Sequence, residues 1–104
     1  MIDLKALKSN IDNGNYFILA LNYYNKLIRN NPELSQELPE SINLNDIEVK
    51  NKSVSILLEH PFIPTPSIEV CLDLFAKSSS RILGSYHLIT DNKQAFVDEF
   101  LLFK

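Results

Sequence analysis

Between Arg29 and Ser53 the chain changes its hydrophobic period, and that change limits the folds open to it. Residues 15–29, NYFILALNYYNKLIR, place Tyr16, Leu19, Ala20, Tyr23 and Leu27 at helical spacing, with Phe17, Leu21, Tyr24 and Ile28 widening the stripe. Residues 67–76, SIEVCLDLFA, alternate instead. Ile68, Val70, Leu72 and Leu74 fall on one face, and Glu69, Cys71 and Asp73 on the other, a strand with one wet face. Residues 53–60, SVSILLEH, read as a further strand. The PFIPTP that follows has three prolines in six residues, which neither a helix nor a central strand accepts, so it is a stiff connector. Residues 77–80, KSSS, form a turn. Residues 81–90 and 95–103 form a closing hairpin.

The N-terminal part reads as helical. Asn13-Gly14 is a breaker and Asn15 an acceptable cap for the long helix. A shorter helix is expected over residues 2–9, with Asp3 early and Lys8 late to match the dipole. Asn31-Pro32-Glu33 restarts a helix that runs to about Leu38 and stops before Pro39. Residues 39–52 read as a polar linker anchored by Ile42, Leu44 and Ile47. The expectation is one α+β domain: N-terminal helices (1–38) packed on a C-terminal antiparallel meander of about four strands (53–104).

Composition narrows the chemistry. With 104 residues, 45% of them hydrophobic, the chain can build one core but has little room for a deep cleft beside it. Two glycines remove most schemes for a phosphate-cradling loop. Cys71 is the only cysteine, which excludes a disulfide framework and a Cys-based zinc site. No basic segment leads into a long apolar run, and no apolar run is long enough for a membrane span. A cytoplasmic protein is expected.

The hairpin carries the most pointed catalytic question. With a turn of two or four residues around Asn92-Lys93, His87 faces Asp98, the pairing of an imidazole base with an orienting carboxylate. Ser85 stands two positions along, roughly 7 Å away at strand spacing. No Gly-rich turn supplies an oxyanion hole. The plain reading is a cross-strand pair. Glu59-His60 offers no metal site, since neighbours on a strand point apart and only His60 and His87 are available. Glu69 and Asp73 beside Cys71 would raise its thiol pKa, the opposite of what a nucleophile needs. Tyr16, Phe17, Tyr23 and Tyr24 lack the interleaved Arg and Lys of a base-stacking platform, so they read as a core stripe. The chemistry expected is therefore binding, with no catalytic residue, no metal and no cofactor.

Charge supplies the positive feature. The net charge is −3, yet residues 30–76 hold eight acids against Lys50 and Lys52 alone. An acidic stretch of this kind repels nucleic acid and attracts basic proteins. Glu33, Glu37, Glu40, Asp46, Glu48, Glu69 and Asp73 are the residues expected to meet such a partner, with Phe62, Phe96 or Phe100 as anchors.

The segments PSIEVCLDLF, Tyr86-His87-Leu88-Ile89-Thr90-Asp91 and Val97-Asp98-Glu99-Phe100 give residues 53–104 a likeness to a known group. In this half, and in its small acidic character, the chain resembles bacterial immunity proteins of contact-dependent growth inhibition systems. The resemblance implies a monomeric cytosolic antidote that forms a heterodimer with a cognate toxin domain, often a nuclease, and neutralises it. Those proteins share no catalytic signature, so no functional residue is carried over. A basic nuclease would match the acids above. The alternatives are an adaptor or oligomeric subunit that uses the second apolar face of the hairpin, and a small hydrolase using His87 and Asp98.

Overall fold

The computed structural model of the chain describes residues 15–38, 42–77 and 81–104, together with the single positions 5, 9 and 79. Helix α1 spans Tyr16–Asn30, and 3-10 turns cover Pro32–Glu37 and Leu44–Asp46. Four strands follow: β1 (Ile47–Leu57), β2 (Ser67–Ala76), β3 (Ile82–Asp91) and β4 (Phe96–Phe103). They pair antiparallel in chain order, β1-β2-β3-β4. The fold is thus the α+β meander that the two hydrophobic periods imply. The helix expected over residues 2–9 falls outside the described residues except for Lys5 and Ser9, both helical.

Helix α1 lies across one face of the sheet. Its buried stripe of Tyr16, Ala20 and Tyr24 meets Ile68, Val70, Leu72 and Leu74 of β2 and Tyr86 and Leu88 of β3. Tyr24 and Tyr86 meet edge to face with ring centroids 5.6 Å apart, an arrangement worth about 0.5–1.5 kcal/mol beyond area burial. Tyr86 is fully buried, and its hydroxyl donates to Glu99 Oε1 at 2.7 Å, so its polar end is satisfied under the helix.

Several local expectations are corrected. Asn15 adopts a left-handed conformation (φ 52°) and makes no side-chain cap; asparagine is among the few residues that tolerate it. Asn31 closes the helix behind it instead of opening the next, its Nδ2 donating to Leu27 O at 2.8 Å. The segment after it winds as a 3-10 turn and is pinned to the core by buried Leu38. Strand β1 begins at Ile47, inside the expected polar linker. Ile47 and Val49 pack into the core while Glu48 and Lys50 face away, the alternation that an edge strand tolerates.

The hairpin register differs from the expected one by two separate slips. Asp91 Oδ1 accepts the amides of Lys93 (2.8 Å) and Ala95 (2.9 Å), and Gln94 takes φ 68°. This turn sets Thr90 opposite Phe96, one place off the simple hairpin. A bulge at Val97 adds a second place, so Ile89 faces Asp98 and His87 faces Phe100. One slip exchanges the faces of a strand and a second restores them. Faces beyond the bulge therefore stand as the alternation implies, while every partner changes. Phe96, caught between the slips, turns to the helix side and packs on Tyr23 at 5.2 Å.

Gly84 is where β4 comes closest. A Cβ there would sit 1.9 Å from Leu102 O, a backbone atom with no freedom to retreat. Gly84→Ala is expected to destabilise the fold by about 2–3 kcal/mol, measured as a lowered urea midpoint. Burial also pushes the Tyr24 phenol up to about 12 from 10.0. The neutral form is favoured in the folded state, so this contribution is complete below pH 10 and lost as pH rises towards 12. Unfolding curves across that interval should show falling stability, with a shallower fall in Tyr24→Phe.

Candidate functional site on the open face of the sheet

The strand alternation that feeds the core sends the remaining side chains to the other face, where no described helix packs. Strand β1 contributes Glu48, Lys50 and Ser55, and β2 contributes Glu69, Cys71, Asp73 and Phe75. Strand β3 adds Ile82, Ser85, His87 and Ile89, and β4 adds Asp98, Phe100 and Leu102. Cys71 and Ile89, in the two central strands, are buried on this face. Ile82, Phe100 and Leu102 are open, at 49%, 39% and 57% exposure, and form the apolar part of the surface.

The seven acids expected to bind a partner do not form one belt. Glu48, Glu69 and Asp73 share the open face, with Asp98 joining them from β4. Glu33 and Glu37 are exposed on the 3-10 turn beyond α1, and Asp46 ends the second turn, its carbonyl accepting the Lys77 amide. Glu40 lies outside the described residues. Neutralisation is partial. Lys52 reaches Asp73 at 3.8 Å, and Lys50 lies over the Phe75 ring at 4.9 Å. Glu33, Glu37, Glu48 and Asp98 have no basic partner among the described residues. Of the three aromatic anchors, Phe100 belongs to this face, Phe96 packs on α1, and Phe62 stands out from the proline-rich connector at 89% exposure.

The centre of the face holds a polar network that spacing alone did not disclose. His87 Nδ1 lies 3.4 Å from Glu69 Oε2, and Nε2 lies 2.8 Å from Ser85 Oγ. A carboxylate only accepts, so Nδ1 is the ring nitrogen that can present a proton to Glu69, while the Ser85 hydroxyl can either donate to or accept from Nε2. Cys71 Sγ sits 3.9 Å from the same nitrogen. The orienting acid is thus Glu69 across the β2–β3 ladder, and Asp98 pairs with Ile89 instead. Ser85 reaches His87 although both stand on β3, because the side chains at i and i+2 lean together over the strand.

Hydroxyl, imidazole and carboxylate in that order could relay a proton. Acyl transfer also requires donors for the oxyanion, and here Ser85 and His87 are paired on both sides in the ladder, which occupies the neighbouring amides. Burial, more than the neighbouring acids, raises the Cys71 thiol pKa; Lys52 lowers it and Asp73 and Glu69 add to the rise. His60 Nδ1 accepts the Phe62 amide at 3.1 Å in the connector. Among the described residues, no three His, Cys, Asp or Glu side chains converge as a metal site, and no helix is long and apolar enough to cross a membrane.

No family model, no curated protein and no solved structure matches this chain.

The network predicts a structural signature. Ser85→Ala and His87→Ala should each lower stability by about 1 kcal/mol, and the double variant by less than the sum, since both lose the same hydrogen bond. Urea midpoints of the three variants measure this.

Proposed function

We propose that the chain is an immunity-type inhibitor, which binds a basic toxin domain in the cytoplasm of the cell that makes it and carries out no turnover of its own. The observation that supports this reading is the sheet face opposite α1, which Glu48, Glu69, Asp73 and Asp98 share with exposed Ile82, Phe100 and Leu102. Carboxylates on a rigid sheet steer a positively charged partner and fix its orientation; the apolar side chains among them supply residence time once water is excluded. A basic nuclease is the partner whose phosphate-binding cleft such a surface fits, and like charge keeps nucleic acid itself away. Glu33 and Glu37, on the separate turn, strengthen the long-range field and make fewer contacts.

Co-purification of the tagged chain with a basic toxin domain, at low and high salt, tests the reading. Association should weaken as salt rises. Glu48→Lys with Glu69→Lys should slow association about ten- to a hundredfold at low salt, and Glu33→Lys with Glu37→Lys much less. Equal, unchanged binding in both pairs would remove the charge argument.

A further inference from the structure

The two edges of the sheet are not alike. The outer edge of β1 is broken by a bulge between Asn51 and Ser53 and carries Lys50 and Lys52, devices that discourage another strand from pairing. The outer edge of β4 ends in Phe100-Leu101-Leu102-Phe103, four uncharged residues in regular strand followed by Lys104. It has no such defence over that stretch.

The direction of its backbone groups can be read from the ladder. The Lys104 amide donates inward to Leu83 O at 2.8 Å, in the register that sets Phe103 against Gly84 and Leu102 against Ser85. Antiparallel pairs alternate between groups that face the neighbour and groups that face away. Lys104, Leu102 and Phe100 therefore bond to β3, and Phe103, Leu101 and Glu99 turn their N–H and C=O outward. The outward Glu99 amide is met by Asp98 Oδ1 at 2.8 Å. The outward amides of Leu101 and Phe103 have no hydrogen-bond partner among the described residues.

We infer that β4 pairs antiparallel with β4 of a second copy of this chain, about a two-fold axis through Leu101, giving a continuous eight-stranded sheet. In this register Leu101 faces its own copy and Glu99 faces Phe103, the residues whose backbone groups point outward on both sides; on pairing, the Glu99 amide exchanges Asp98 Oδ1 for the carbonyl of Phe103, which frees that carboxylate. Phe100 faces Leu102, both exposed on the open face. Asp98 faces Lys104, twice by symmetry, so the only charges that meet on this face are opposite in sign. Moving the axis to Glu99 would set that carboxylate against its own copy, which disfavours the slipped register. Edge pairing leaves Glu48, Glu69, Asp73 and Ile82 of the open face unengaged, so the dimer is compatible with partner binding there and replaces the expected monomer. It does not rest on the identity of the partner, because the chain alone forms it.

Sedimentation equilibrium of the whole chain should show a concentration-dependent monomer–dimer equilibrium. Asp98→Lys and Lys104→Asp replace exposed residues, and each should raise the dissociation constant about tenfold by setting like charges opposite. The two substitutions together should return it close to the original value. Amide exchange at Leu101 and Phe103 should slow as concentration rises. A chain monomeric at every concentration overturns the proposal. So do single variants that dimerise as the parent does, or a dimer whose Leu101 and Phe103 amides still exchange freely, which would mean association through a face.

Discussion

Helix α1, laid across four strands, covers one face of the sheet, and most of the character of the described residues follows from that constraint. Tyr16, Ala20 and Tyr24 close over the middle of β2 and β3, where the apolar alternation is cleanest. The satisfied Tyr86–Glu99 hydrogen bond lets a full aromatic ring with a polar tip lie under the helix at no cost in unpaired groups. No described helix packs on the side chains that the alternation directs the other way.

That second face has an organisation of its own. Its central residues lock together through Glu69, His87 and Ser85, which fixes the middle of the surface without a cleft. Around this rigid centre stand carboxylates with few compensating lysines and a short row of exposed apolar side chains. Rigid, shallow, acidic and partly apolar is a combination suited to recognising another protein. The backbone donors beside the Ser85–His87 pair are bound in the ladder. The edges differ as well: β1 is bulged at Asn51–Ser53 and carries Lys50 and Lys52, whereas β4 beyond its own bulge is regular and apolar over Phe100–Phe103, the difference on which the proposed association along β4 rests.

Much of this was legible in the residues. Helical spacing in 15–29 and strict alternation in 67–76 specify which side chains face inward, and the structure places those of β2 as the pattern implies. The start of β1 was hidden because Glu48 and Lys50 look like loop residues until Ile47 and Val49 are seen to alternate with them. The hairpin register was hidden because it depends on one carboxylate, that of Asp91, bonding two amides in the turn, and on a bulge at Val97. Two compensating slips preserve the faces of residues 98–103 and change the partners, so spacing sets Asp98 opposite His87 where the structure has Phe100, and the acid beside His87 is Glu69. Sequence position groups the acids of residues 30–76, whereas strand pairing gathers Glu48, Glu69, Asp73 and Asp98 and leaves Glu33 and Glu37 apart.

The central claim is that the face away from α1 is a solvent-facing recognition surface. Its most direct test is NMR of the dilute chain with a soluble paramagnetic agent, first alone and then with a basic toxin domain. The account predicts strong broadening of Ile82 and Phe100 in the free chain beside unaffected Leu72 and Leu88, and protection of the first two in the complex. Ile82 and Phe100 as shielded in the free chain as Leu72, or as exposed in the complex as before, would contradict it.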